Sequence, residues 1–123
     1  MKTKNKIKWL SEPEKKDYPA AISYLNLIFD ETQAKLFVDK LEKAIVVEFK
    51  AKDIFRASSL SLLGISNEHV NRDIKKIEDE ISLSPLLLVR NPTIGKVIIA
   101  DGYHRLCAVY SQDEDARIPC KIV

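Results

Sequence analysis

Apolar positions along the chain recur first at helical and then at strand spacing. In "DYPAAISYLNLIF", residues 17 to 29, Ile22, Leu25, Ile28 and Phe29 step by threes and fours, which predicts a helix. Asp17 is its N-cap candidate, and Pro19 falls in the first turn, where a missing N–H costs little. "DETQ", residues 30 to 33, is a capping-box pattern: Asp30 can accept from the backbone N–H of Gln33, and Gln33 can reach back. A second helix then runs to about Ala44, with Leu36, Phe37, Val38 and Leu41 as its apolar side. Two short helices with a minimal link predict an αα-hairpin over residues 17–44.

From residue 45 the period changes. "AIVVEF", residues 44 to 49, is short and β-branched, so it reads as a strand. A helical turn around Asp53 to Ala57 and a loop from Ser58 to Ser66 follow, with Gly64 available for a positive φ. Asn67 caps a helix reaching to about Ile81, on which Val70, Ile74, Ile77 and Ile81 form an apolar stripe. Pro85 stops it. "LLLVR" and "KVIIA", residues 86–90 and 96–100, are strands of a hairpin joined by "NPTIG". A helix from His104 to about Ser111 turns Leu106, Val109 and Tyr110 inward, and "RIPCKIV" closes as a strand in which Pro119 predicts an edge or bulge position. Helices and strands in this order predict an α/β (α+β) domain over residues 45–123, behind the helical hairpin and a flexible basic segment, residues 1–16.

Composition narrows the class. The chain has 123 residues, 46% hydrophobic and 31% charged, enough for one domain without a stabilising disulfide or metal. The lack of a long apolar run argues against a membrane partner, and the start lacks the apolar core of a secretory signal, so a cytoplasmic location is expected. The net charge of +2 arises in residues 1–44, where Lys2, Lys4, Lys6 and Lys8 form a run; a frayed, solvated terminus and a phosphate contact are both open to it. Cys107 and Cys120 are the two cysteines, too few for a disulfide framework and without zinc spacing, so both are expected as buried, inert thiols.

The candidate chemistry is concentrated in "DGYHR", residues 101 to 105, where a strand runs into a helix. Gly102 can take backbone angles other residues avoid. The first N–H groups of the helix lack internal partners, and with the helix dipole they favour an anion. Arg105 adds a planar fork for phosphate or carboxylate, and His104 a donor that also carries protons. Asp101 is open to three roles: helix cap, orienting acceptor for the imidazole, or metal ligand. A plain strand-to-helix turn accounts for the same five residues.

Residues 45–123, with this box and this order of elements, resemble the ParB/sulfiredoxin-like superfamily. Sulfiredoxins carry a Gly-Gly-Cys-His-Arg box at this place and ParB proteins Gly-Glu-Arg-Arg. The ParB-like free-serine kinases carry Asp-Gly-His-His-Arg, from which this chain differs at Tyr103. The resemblance implies a small mixed sheet with helices and a box that binds the phosphates of a nucleotide, with Gly102, Tyr103, His104 and Arg105 as its residues. Arg56 would reach a second phosphate, and Ser58 and Asn67 stand as further binding candidates. Asp101 or Asp53 would hold Mg2+ or act as base. A phenol at position 103 cannot replace the sulfiredoxin thiolate, so sulfiredoxin activity is excluded. No helix-turn-helix follows the box in this sequence and residues 45–123 carry no net charge, so sequence-specific DNA is not the expected partner.

The expected function is binding of a nucleoside phosphate (ATP, ADP or CTP) with Mg2+, with phosphoryl transfer or hydrolysis as the possible reaction. Its alternatives are a non-catalytic nucleotide-sensing or protein-interaction module, and, third, a DNA-binding protein or nuclease. His69, beside Asn67, could face the same pocket. Trp9 and Tyr24 are expected to pack or to lie on the surface rather than to stack on a base. The apolar side of the hairpin could cover the sheet or form a homodimer face.

Overall fold

A computed structural model describes residues 6–64 and 66–123; Lys2 and Lys4 of the basic run lie outside them. The elements are α1 (Asp17–Leu25), α2 (Glu31–Lys43), β1 (Val47–Lys50), α3 (Ala51–Ser58), α4 (Glu68–Glu78), β2 (Leu86–Asn91), β3 (Lys96–Asp101), α5 (Tyr103–Gln112) and β4 (Arg117–Ile122). The fold is mixed α+β, with a four-stranded sheet in the order β1-β4-β2-β3. β1 pairs antiparallel with β4, β4 parallel with β2, and β2 antiparallel with β3.

The sheet separates two apolar layers. Leu86, Leu88 and Ile99 face α3, α4 and α5, packing with Ile54, Val70, Ile74, Ile77 and Leu106. Leu87, Val89 and Ala100 face the opposite way, against Ala21, Leu25, Ala34, Val38 and Leu41 of α1 and α2. The continuous apolar run of β2 is therefore read by both layers, as expected for a strand covered on two sides. The helical hairpin is the lid of the second face.

Capping follows the local chemistry. Asp30 Oδ1 accepts from Gln33 N at 2.7 Å, and Asn67 Oδ1 from His69 N at 2.9 Å and Val70 N at 3.2 Å. Several expectations are corrected. Lys16, not Asp17, is the N-cap of α1; Asp17 is buried inside the first turn. α1 stops at Leu25 and α4 at Glu78, leaving Ile28 and Ile81 half exposed. Leu36 points outward, and Ala34 takes its place on the buried side of α2. The turn near Asp53 is a full helix, α3, whose C-cap Ser59 takes the left-handed conformation (φ 58°) that was expected of Gly64.

Pro119 does not mark an edge: β4 is an interior strand. Ala51 N donates to Ala116 O at 2.9 Å, so the hydrogen-bonded pairs alternate from there, and Pro119 falls opposite Glu48 in a non-hydrogen-bonded pair. Its nitrogen faces the β2 side, where pairing begins only at Leu86 opposite Cys120. The missing donor therefore breaks no ladder bond.

Candidate functional site

The "DGYHR" stretch lies where β3 ends and α5 begins. A bulge precedes it: Leu88 is opposite Ile99, but Leu87 is opposite Asp101, so Ala100 is the extra residue. The bulge shifts Asp101 by one register step and turns its side chain toward the hairpin layer, where Asp17 of α1 is a close neighbour. Gly102 is the N-cap of α5 with φ 109°. A Cβ there would stand 2.7 Å from Leu86 Cγ and 2.9 Å from Arg105 Nη2, so the position needs glycine for both backbone angle and space.

Arg105 folds back on the strand end. Its Nη2 donates to Asp101 Oδ2 at 3.1 Å and to Pro85 O at 3.3 Å, and both side chains of the pair are more than four-fifths buried. Burial raises the Asp101 carboxyl above the ordinary carboxylate range; Arg105 opposes that rise and Asp17 adds to it. Asp17 is itself held by Glu14 N at 3.1 Å and by the Ser84 hydroxyl.

His104 meets His69 of α4, with ring centroids 4.8 Å apart, and Tyr103 on its other side at 5.6 Å. The Tyr103 hydroxyl donates to Ser61 O and ties the α3–α4 loop to the box. Burial lowers the His104 imidazole from its ordinary value, and His69 and Arg105 lower it further against the pull of Asp73. His104 is therefore a neutral imidazole near pH 7, able to accept a proton.

Two clefts flank the box. The first, about 160 Å³, is bounded by His69, Arg72, Asp73 and Lys76 of α4 and by residues 101–105. Arg72 and Lys76 have only loose partners, Glu68 at 3.5 Å and Asp73 at 3.9 Å. Asp73 is nearly buried, and burial raises its carboxyl against the opposing Lys76. The second cleft, about 440 Å³, runs from the same Asp101–His104 backbone to Ala20 and Tyr24 of α1, Leu60, Ile99 and Ala100.

Of the residues singled out in the sequence, the structure brings together Asp101, Gly102, Tyr103, His104, Arg105 and His69, with Tyr24 in the adjoining cleft. Asn67 stands at the edge as the α4 cap. Asp53 and Arg56 are elsewhere. They pair with each other at 3.6 Å on exposed α3, and Asp53 borders a different cavity, near Lys96 at the opposite end of β3. Ser58 is turned inward, donating to Phe55 O at 3.0 Å and accepting from Leu60 N at 3.3 Å, so it closes α3. Asp101 and Asp73 are the carboxylates that line the smaller cleft, and no group of three His, Cys, Asp or Glu among the described residues is placed to hold a metal. Cys107 and Cys120 are fully buried, and burial raises both thiols, Cys120 to about 12.

Sequence reasoning missed Arg72, Asp73 and Lys76. Their signal was present: with His69 they sit at i, i+3, i+4 and i+7, one polar stripe of α4 beside the apolar stripe of Val70, Ile74 and Ile77. The Asp17–Asp101 neighbourhood had no such signal, because 84 residues separate its members and a bulge creates it. Compared with known proteins, the chain matches no protein-family model and is similar to no curated protein and no solved structure.

Proposed function

We propose that the protein binds a nucleoside phosphate across the two clefts, with the phosphates against α5 and the base toward α1. The observation that carries this reading is one small cleft in which the N-terminus of α5 at Gly102 faces the polar side of α4, with His69 and His104 4.8 Å apart and Arg72 and Lys76 beside them. The α5 terminus, which has no side-chain cap, its dipole, Arg72 and Lys76 all favour an anion there, while the Asn67 side chain takes the His69 and Val70 amides of α4. A volume of about 160 Å³ suits a phosphoryl group but not a nucleoside. The adjoining 440 Å³, lined by Tyr24, Leu60 and Ile99, has the size and apolar walls that a base requires.

Arg105 supports this site from behind. Its fork is taken up by Asp101 and Pro85 O, so Arg72 and Lys76 supply the mobile positive charge. Mg2+, when carried in by the nucleotide, would neutralise phosphate charge, with most of its coordination from the phosphates and water; of the two carboxylates that line the cleft, Asp73 is the one not paired with Arg105. His104, neutral at pH 7, could take a proton from an acceptor hydroxyl or water. Binding without turnover is the second reading. It is favoured by the commitment of Asp101, the carboxylate of the box itself, to Arg105.

A thermal-shift panel of ATP, ADP and CTP with and without Mg2+ tests the reading. A ligand at about 100 times its Kd adds about 2.7 kcal/mol, roughly a 10 °C rise in Tm. Arg72→Ala should weaken the nucleotide roughly tenfold with little change in stability. Arg105→Ala should instead cost about 1–3 kcal/mol of stability by orphaning Asp101. No shift with any nucleotide, or an Arg72→Ala protein that binds as the parent does, would reject the phosphate cleft. Phosphate release from bound nucleotide separates turnover from sensing.

A further inference from the structure

We propose that a second ligand site, for an amphipathic anion with an aliphatic chain, lies between α3 and the open end of the sheet. A cavity of about 390 Å³ is present there, within the range of small-molecule sites. Its floor comes from Phe49, Leu88, Val97 and Ile122, one residue from each of the four strands, and its roof from Ile54 and Ala57 of α3. The gap has a structural cause. α3 is only eight residues long, it presents the small Ala57 over the sheet, and the β2–β3 turn closes the far end with Pro92 and Gly95. A Cβ on Gly95 would meet nothing within 4 Å, so the space is open at that end.

The charged and polar side chains of the lining are two cations, Arg90 and Lys96, with Asn91 and one acid, Asp53. Arg90 lies two residues beyond Leu88 on β2, hence on the same sheet face, and Lys96 stands across the turn. Both are exposed, and neither has an ion-pair partner among the described residues. The acid at the rim, Asp53, is offset by Arg56. An apolar chamber with unpaired cations at its entrance suits a ligand whose body is apolar and whose head is an anion. It does not suit a nucleotide, whose charge would need donors along the walls. Asp53 thereby acquires a place in the molecule that the phosphate cleft does not give it.

Decanoate, below its aggregation concentration, is the probe, titrated by calorimetry into the full chain, with decanol as the uncharged control. Saturable one-to-one binding is expected. Arg90→Gln should weaken decanoate about fivefold, as for an exposed ion pair, and leave decanol unchanged. Ala57→Trp, at an exposed helical position, should fill the mouth and abolish both. ATP should not compete, so failure of the phosphate cleft and failure of this site are separately visible. Absence of saturable decanoate binding to the parent overturns the site. Binding that persists in Ala57→Trp overturns its location. Arg90→Gln without effect overturns the anionic head, and competition by ATP overturns its independence.

Discussion

Gly102 shows how one residue holds the candidate site together. Its φ of 109° lies where side-chain-bearing residues are strained, and Leu86 and Arg105 leave no room for a methyl group. Gly102→Ala should therefore destabilise the protein by about 1–3 kcal/mol, read as a lower denaturant midpoint. The shift should displace Arg105 from Asp101, because the guanidinium is the softer of the two neighbours. An alanine variant as stable as the parent would mean that the strand-to-helix junction relaxes freely, and the fixed geometry of the α5 amides would then be lost as an argument. Glycine at this position was legible from the sequence, since a strand meets a helix there. The contact with Leu86 was not, because it depends on how α5 lies over β2.

At the scale of elements, the α1–α2 hairpin and β4 are fastened by both apolar and polar contacts. Leu25, Val38 and Leu41 are fully buried against Leu87 and Val89. Lys121 of β4, 3% exposed, sends its ammonium to Glu42 O at 3.0 Å and to Glu12 at 3.1 Å. Burial works against that charge, but bonds with Tyr18 and Glu12 outweigh it and hold the ammonium pKa above its ordinary value. Leu41→Ala should cost about 2–5 kcal/mol. Removing residues 1–44 should expose Leu87, Val89, Ile98 and Ala100 as one apolar sheet face and cause aggregation, checked by light scattering and circular dichroism. A soluble, folded fragment of residues 45–123 would contradict this packing role. The hairpin itself was readable from "DETQ" and its apolar spacing. That its apolar side covers the sheet was not, because amphipathicity states that a face is buried and not against what.

For the whole molecule, the groups around the box give stability opposing dependences on pH. The His104 imidazole is lowered in the folded state, so below about 6.5 the unfolded chain takes up a proton first. Its contribution is complete above that pH and is lost as pH falls through the window. Asp73 and Asp101 are raised, so the folded state keeps their protons to higher pH, and their contribution grows as pH falls toward about 3.9. Urea midpoints at several pH values should therefore decline from pH 7.5 to 5.5, and His104→Asn should flatten that decline. An unchanged slope in the variant would show that His104 is not shielded as its surroundings indicate. By itself the sequence determined what acts within a turn or two of the chain: the Asp30 and Asn67 caps, the "NPTIG" hairpin, the α4 stripe and the strand-Gly-helix junction. Only the tertiary structure decided that Pro119 sits in an interior strand, that His69 meets His104, that Asp101 holds Arg105, and that Asp53 and Arg56 belong to another cavity. Capping, periodicity and turn chemistry are fixed by neighbours a few residues apart, whereas these placements follow from strand order, one bulge and the layering of helices on two sheet faces.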